Sequence, residues 1–226
     1  MDIVYFVRPG ENEELRYSLR SLKNLPHDKV WIYGSCPDWC KPDRYVHVEQ
    51  VGATKWDRVR DMFRRVCDNN EISPDFILMN DDFFIMKPTT IEPAYRSTMA
   101  DHIVTLILSN NNRLSDYAKE LLGCLRVLRH LERGENSYEL HIPIVMNRKK
   151  FGELLKKYPD VHANRTLYSN YYQTGGVQMD DCKVYDGAVV FPTDSTFLST
   201  TEGSFEELVG KFIREKFPEK SEYETD

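Results

Sequence analysis

Apolar positions recur along this chain in two rhythms, and the switches between them mark out the elements. Ile3 to Val7 is a β-branched and aromatic run that stops at Arg8-Pro9-Gly10, which predicts a strand followed by a turn. From about Asn12 to Leu25 the residues Leu15, Leu19, Leu22 and Leu25 fall at helical spacing, with Arg16, Arg20 and Lys23 on other faces, and Pro26 ends the helix. Lys29 to Tyr33 predicts a second strand, closed by the Gly34 to Asp38 turn, and Tyr45 to Val51 predicts a third, alternating one. Thr54 is placed to cap a helix reaching about Asp68, whose apolar stripe is Trp56, Val59, Met62, Phe63 and Val66. Phe76 to Met79 then reads as a short buried strand. Strand, helix, strand, strand, helix, strand is the rhythm of a nucleotide-binding α/β half.

The pattern loosens after residue 100. Ile103 to Leu108 predicts a strand, Asn110 to Asn112 a loop, and Leu114 to Glu132 a long amphipathic packing or lid helix with the stripe Tyr117, Leu121, Leu125, Leu128 and Leu131. Asn147 to Lys150 opens a further helix that ends near Tyr158-Pro159. Residues 164–178 are rich in Tyr, Asn, Gln and Gly and read as a binding loop. Gly187 to Pro192 predicts a short strand, and Phe205 to Lys216 a last helix before a polar tail at 217–226.

Composition narrows the classes. With 226 residues the chain can bury a full core as a single catalytic domain, in which about 110–135 forms a helical insertion. Thirty basic against 36 acidic residues give a net charge of −6, which argues against dominant non-specific binding to nucleic acid or anionic membrane. No apolar run approaches the roughly 20 residues that span a bilayer, and Met1 to Tyr5 has no signal-peptide character. Cys36, Cys40, Cys67, Cys124 and Cys182 are odd in number and scattered, which fits free thiols in a reducing cytoplasm. The Cys36-x3-Cys40 pair has no second Cys/His pair at zinc spacing and reads as loop thiols.

Candidate chemistry centres on Asn80-Asp81-Asp82, which follows the Phe76 to Met79 strand directly. Two carboxylates at the carboxyl end of a buried strand need a partner or a metal, and that edge of an open α/β sheet is where ligands bind. Two readings stand: a solvated Asp-Asp turn, or a site where Asp81 and Asp82 hold Mg²⁺ or Mn²⁺ against a phosphorylated ligand. His141, in a short apolar run closed by Pro143, is either a satisfied core histidine or a general base or acid. Arg165 is a candidate phosphate clamp through its bidentate fork, and Arg8, Lys55 and Arg58 are further candidates at the sheet's carboxyl edge, beside Thr54. Asp180-Asp181 reads as structural. No Gly-x-Gly-x-x-Gly, P-loop or Gly-x-Ser-x-Gly spacing occurs, so dinucleotide oxidoreductase, P-loop kinase and serine hydrolase chemistries find no support.

Four blocks in order resemble the Stealth family of sugar-1-phosphate transferases. They are Asp2 to Tyr5; Leu15 to Leu22 with Val30 to Tyr33 and Phe76 to Phe84; His141-Ile142-Pro143 with Asn147-Arg148-Lys149 and Arg165; and Phe197-Leu198-Ser199 with Phe217 to Glu224. The resemblance implies a Rossmann-like mixed α/β sheet of glycosyltransferase A type, flanked by helices, with a helical insertion after the Asn-Asp-Asp strand. It implies transfer of a sugar-1-phosphate from a nucleotide-sugar donor, such as a UDP-sugar, to an acceptor hydroxyl on a glycan, protein, lipid carrier or modified nucleobase. The family's essential Asp, His and Arg map to Asp82, His141 and Arg165. Two departures stand out: Val7-Arg8-Pro9-Gly10 replaces the family's Trp-Val-Asn/Asp-Gly turn, and Thr201-Glu202 replaces its late Asn-Asp, leaving Glu202 to supply the carboxylate. The alternatives are a plain glycosyltransferase that releases nucleoside diphosphate, and a non-catalytic sugar-nucleotide or carbohydrate-binding module.

Overall fold

The computed structural model describes residues 1–49 and 54–225. In chain order the elements are β1 (Asp2–Val7), α1 (Glu13–Ser21), β2 (Val30–Gly34), β3 (Arg44–His47), α2 (Lys55–Asp68), β4 (Asp75–Asn80), β5 (Phe83–Ile85), β6 (Ala94–Tyr95) and β7 (Ser97–Thr98). There follow α3 (Met99–Ser109), α4 (Asp116–His130), β8 (Asn136–Ser137), β9 (Ile144–Asn147), α5 (Arg148–Lys157) and α6 (Asn164–Tyr171). The chain closes with β10 (Val177–Gln178), β11 (Lys183–Val184), β12 (Phe197–Thr200), α7 (Glu202–Phe205) and α8 (Leu208–Lys216). These form two compact units, one of residues 1–91, 141–149 and 182–226, the other of 92–140 and 150–181.

The first unit is built on a five-stranded sheet in the order β3-β2-β1-β4-β9. β1 runs parallel to both β2 and β4, β2 parallel to β3, and β9 antiparallel to β4. The near-continuous apolar strands fit a sheet covered on both faces. On one face Ile3, Tyr5, Ile32, Ile77 and Met79 pack with Leu15, Leu19 and Leu22 of α1 and its following turn. On the other, Phe6 meets Phe63 of α2 edge to face, with ring centroids 4.8 Å apart. Thr54 caps α2 as its sequence implies, through a reciprocal capping box with Asp57. Gly34 ends β2 at φ +112°, where a Cβ would stand 2.2 Å from the Val7 carbonyl oxygen, so only glycine allows the two strand ends to approach.

Beside this sheet, β11, β12 and β5 make a three-stranded sheet, β11 parallel and β5 antiparallel to β12. A polar stripe on α1 and its following turn fastens β5 in place. The Ser18 hydroxyl donates to the Phe83 carbonyl at 2.5 Å, the Ile85 N–H donates to the Ser21 hydroxyl at 3.0 Å, and the Asn24 amide donates to the Ile85 carbonyl at 2.7 Å. One helical face three residues in period thus satisfies three backbone groups of the segment that follows Asp82.

In the second unit α4 packs against α3 and α6, with Leu121, Cys124, Leu125 and Leu128 buried along its stripe. Phe151 meets Tyr168 edge to face, and short ladders join β7 to β8 and β6 to β10.

Several expectations are corrected. Ile103 to Leu108 is helix, part of α3: Thr98 caps it by accepting from the Asp101 N–H, and this local signal overrides the strand preference of the β-branched run. Within 164–178, the stretch Asn164–Tyr171 is helix α6 rather than loop, with Asn164, Thr166 and Asn170 among its buried residues. Gly187 to Pro192 is not a strand, and Val189 and Val190 stand exposed; the strand of this region is the two-residue β11. The third strand covers only Arg44–His47, and Val51 lies outside the described residues. The expected polar tail is tied down: Arg20 pairs with both carboxylate oxygens of Glu224 at 2.8 Å and donates to the Phe217 and Pro218 carbonyls.

Candidate functional site

In the five-stranded sheet the strand order reverses direction at β1: the chain moves from β1 through β2 to β3 on one side and returns to β4 on the other. Ligands of open α/β sheets bind outside the carboxyl ends of the strands at such a switch point. The segments that leave β1 and β4 there are Arg8 to Asn12 and Asp81-Asp82.

Asn12 joins the two. It adopts a left-handed conformation, φ 46°, which Asn tolerates better than most residues, and its Oδ1 accepts from the Leu15 N–H to cap α1. Its Nδ2 donates to Asp81 Oδ2 at 2.6 Å. Burial and then the neighbouring charge of Asp82 push the Asp81 carboxyl up from the usual carboxylate range, against the Asn12 bond and Arg8.

Asp82 is met from the three-stranded sheet. Register sets Phe83 opposite Ser199, and Ser199 opposite Lys183. Lys183 Nζ accordingly stands 2.8 Å from Asp82 Oδ2, and the Ser199 hydroxyl donates to the same oxygen at 3.1 Å. Next to them, Thr200 donates to Glu14 Oε1 at 2.5 Å. Burial foremost, then the charges of Asp82 and Asp81, push the Glu14 carboxyl up from 4.5 to about 7, against the Thr200 bond. Three carboxylates and one ammonium thus share a half-sealed polar cluster in which Lys183 supplies the positive charge.

A cleft of about 430 Å³ opens beside this cluster, lined by the Arg8 to Glu14 segment and by Glu202, Phe205 and Glu206. Arg8 and Glu202, both expected at the site, meet across it at 3.1 Å as an exposed ion pair. Glu202 is the first residue of α7, whose cap Thr201 also bonds the Asp186 carboxylate.

His141 enters from the start of the β9 segment. Because β9 runs antiparallel to β4, with Ile144 opposite Leu78, the residues before Ile144 approach the end of β4 where Asp81 and Asp82 lie. The His141 ring stands edge-on to Phe83 at 6.3 Å, and its carbonyl accepts from the Cys182 thiol at 3.0 Å. The structure therefore brings Arg8, Asp81, Asp82, His141 and Glu202 to one end of the sheet in the first unit. Arg165 belongs to the second unit, where it lies on α6 and its Nη1 donates to the Leu140 carbonyl at 3.0 Å. In that unit Asp181 pairs with Arg96 at 3.1 Å, in keeping with a structural role.

The α2 candidates are engaged locally. The Thr54 hydroxyl serves the cap, Lys55 Nζ lies 4.5 Å over the Trp56 ring, and Arg58 Nε donates to the Thr54 carbonyl at 3.4 Å. None of the three lines the cleft.

The residues present do not fit the divalent cation expected of Asp81 and Asp82. Both carboxylates face nitrogen donors, Lys183 on Asp82 and Asn12 on Asp81, and an ammonium 2.8 Å from the oxygen that should ligate repels a second cation. Among the described residues no group of three or more His, Cys, Asp or Glu side chains is arranged to hold a metal.

No protein-family model matches the chain, and no curated protein matches it. Among solved structures it is similar to the galactosyltransferase LgtC, determined in complex with donor and acceptor sugar analogues. The TM-score is 0.51 at 9% identity, over 98% of this chain and 98% of that one. The fold is that of an A-type glycosyltransferase. Mouse xyloside xylosyltransferase 1, in its apo form, is similar at a TM-score of 0.38 and 9% identity, over 99% of this chain and 96% of that one. Sequence reasoning missed Asn12, Glu14, Lys183 and Ser199. For Asn12 a signal existed, since it stands three residues before Leu15 at the head of an amphipathic run.

Proposed function

We propose that this protein is a transferase that moves a sugar-1-phosphate from a nucleotide-sugar donor to an acceptor hydroxyl. The observation that carries the reading is the gathering of Asp81, Asp82 and His141 at the carboxyl end of β4, in a sheet with the A-type glycosyltransferase fold. Support for transfer of the phosphate with the sugar comes from the four ordered sequence blocks that resemble the Stealth proteins.

Phosphoryl transfer asks for positioning and charge neutralisation more than covalent work by the protein. In this reading His141 takes the proton of the acceptor hydroxyl, and Asp82 holds the cationic partner that faces the donor phosphates. The carboxylate-walled cleft receives the acceptor, because Glu14 and Glu202 accept hydrogen bonds from sugar hydroxyls. A divalent cation is not carried into this mechanism, since the donor set at Asp81 and Asp82 does not fit one. A second reading, plain sugar transfer with release of nucleoside diphosphate, draws on the likeness to LgtC, a galactosyltransferase.

A thermal-shift screen of nucleotide sugars tests whether a donor binds at all, because a ligand that binds only the folded state raises the melting temperature. The proposal expects one donor class to raise it and Asp82→Ala to abolish the rise. A flat response to every donor contradicts it.

A further inference from the structure

The Asp82 carboxylate carries a cation of the chain's own, and that arrangement bears on how an anionic donor is bound. Lys183 is set by register, not by local sequence: it lies on a two-residue strand opposite Ser199, which in turn lies opposite Phe83, the residue after Asp82. Its side chain is 16% exposed and that of Asp82 14%, so the pair is largely withdrawn from water yet still reachable. Among the described residues Lys183 Nζ donates to Asp82 alone, which leaves two of the three ammonium N–H donors for a ligand. Glu14 and Asp81 add two more carboxylates to the same cluster, each coupled electrostatically to Asp82.

We propose that Lys183 is the donor-phosphate cation of this site: its ammonium, oriented by the Asp82 carboxylate that the Ser199 hydroxyl also holds, supplies the positive charge that a divalent ion would supply between two free aspartates. The inference rests on the nucleotide-sugar reading above and deepens it. No bond is made or broken by Lys183; it binds and neutralises phosphate oxygens, as an ammonium point charge does. Asp82 is then a positioning residue for Lys183 rather than a metal ligand. The same electrostatics foretell what its loss does. Without the ammonium, Glu14, Asp81 and Asp82 are left as an uncompensated acidic cluster, which relaxes by taking up a proton or a cation.

Two measurements test this on the full chain, with thermal melts confirming that each variant folds and Lys183→Arg as the charge-conserving control. In the first, MnCl2 is titrated alone and free Mn²⁺ is followed by its electron paramagnetic resonance signal. The wild type leaves the signal undiminished, whereas Lys183→Met removes Mn²⁺ saturably. Saturable Mn²⁺ binding by the wild type that is lost in Asp82→Asn overturns the proposal. In the second, UDP, GDP and CDP are titrated calorimetrically in the presence of a chelator. One of them binds the wild type, Lys183→Met weakens it by roughly tenfold or more, and Lys183→Arg largely retains it. Equal nucleotide affinity in wild type and Lys183→Met, or affinity that appears only when Mn²⁺ is added, overturns the proposal while sparing the donor reading. Failure of all three nucleotides to bind, with or without Mn²⁺, overturns the donor reading and the proposal with it.

Discussion

Glu14 occupies the second position of α1, where an acid is ordinarily favoured by the helix dipole and by solvent. Here it is buried instead, and its proton becomes part of the fold. Its folded-state value, about 7, lies above the ordinary 4.5, so the group contributes stability that is complete below the ordinary value and is lost as pH rises through the folded one. Glu14→Gln keeps an Oε1 to accept from Thr200 and cannot ionise. Urea denaturation at about pH 5 and about pH 8 checks the consequence: the wild type loses roughly 3 kcal/mol relative to the variant between the two. A difference that does not move with pH would remove Glu14 from the proton-linked cluster. At this scale the sequence was only partly legible. Asp81 and Asp82 announced themselves as acids after an apolar strand. Lys183 did not, because it lies between Cys182 and Val184 in a strand too short to show a period, and its partner is 101 residues away.

At the scale of elements, periodicity read the first half well. β1, α1, β2, α2 and β4 follow the expected order because each has an apolar pattern long enough to distinguish 3.6 from 2. It failed where two signals conflicted or where none was strong. α3 carries a β-branched run behind a Thr98-x-x-Asp101 start, and the cap prevailed; α6 buries polar residues, which composition alone reads as loop. The strap formed by Phe217 to Glu224 is the clearest tertiary effect. The Glu224 side chain is fully buried and that of Arg20 nearly so. Burial alone would raise the Glu224 carboxyl, but the bonds from Arg20 and Ser221 outweigh it and hold the group below its usual range. Removing one partner leaves an unpaired buried charge, so Glu224→Ala should cost roughly 3–5 kcal/mol in equilibrium unfolding. Because the folded-state value is depressed, the pair's contribution is present above the ordinary carboxylate value and lost as pH falls through the folded one. An Ala variant within experimental error of wild type would show that the strap adds nothing to the fold.

For the molecule as a whole, the sheet order and its likeness to LgtC establish an A-type glycosyltransferase fold, and fold alone does not name a reaction. The proposed reaction rests instead on what the switch point gathers. His141 is carried to the end of β4 by an antiparallel strand, Asp82 is set there by the parallel one, and Lys183 arrives from a second sheet. Long-range pairings of this kind are invisible to a reading made one segment at a time, which explains why the acids were legible and their true counter-charge was not. The most direct test of the account identifies the nucleotide released when the protein, a nucleotide-sugar donor and a hydroxyl acceptor are incubated together. The account predicts nucleoside monophosphate, formed only with acceptor and lost in Asp82→Ala and in His141→Ala. Release of nucleoside diphosphate, or turnover untouched by both substitutions, would contradict it.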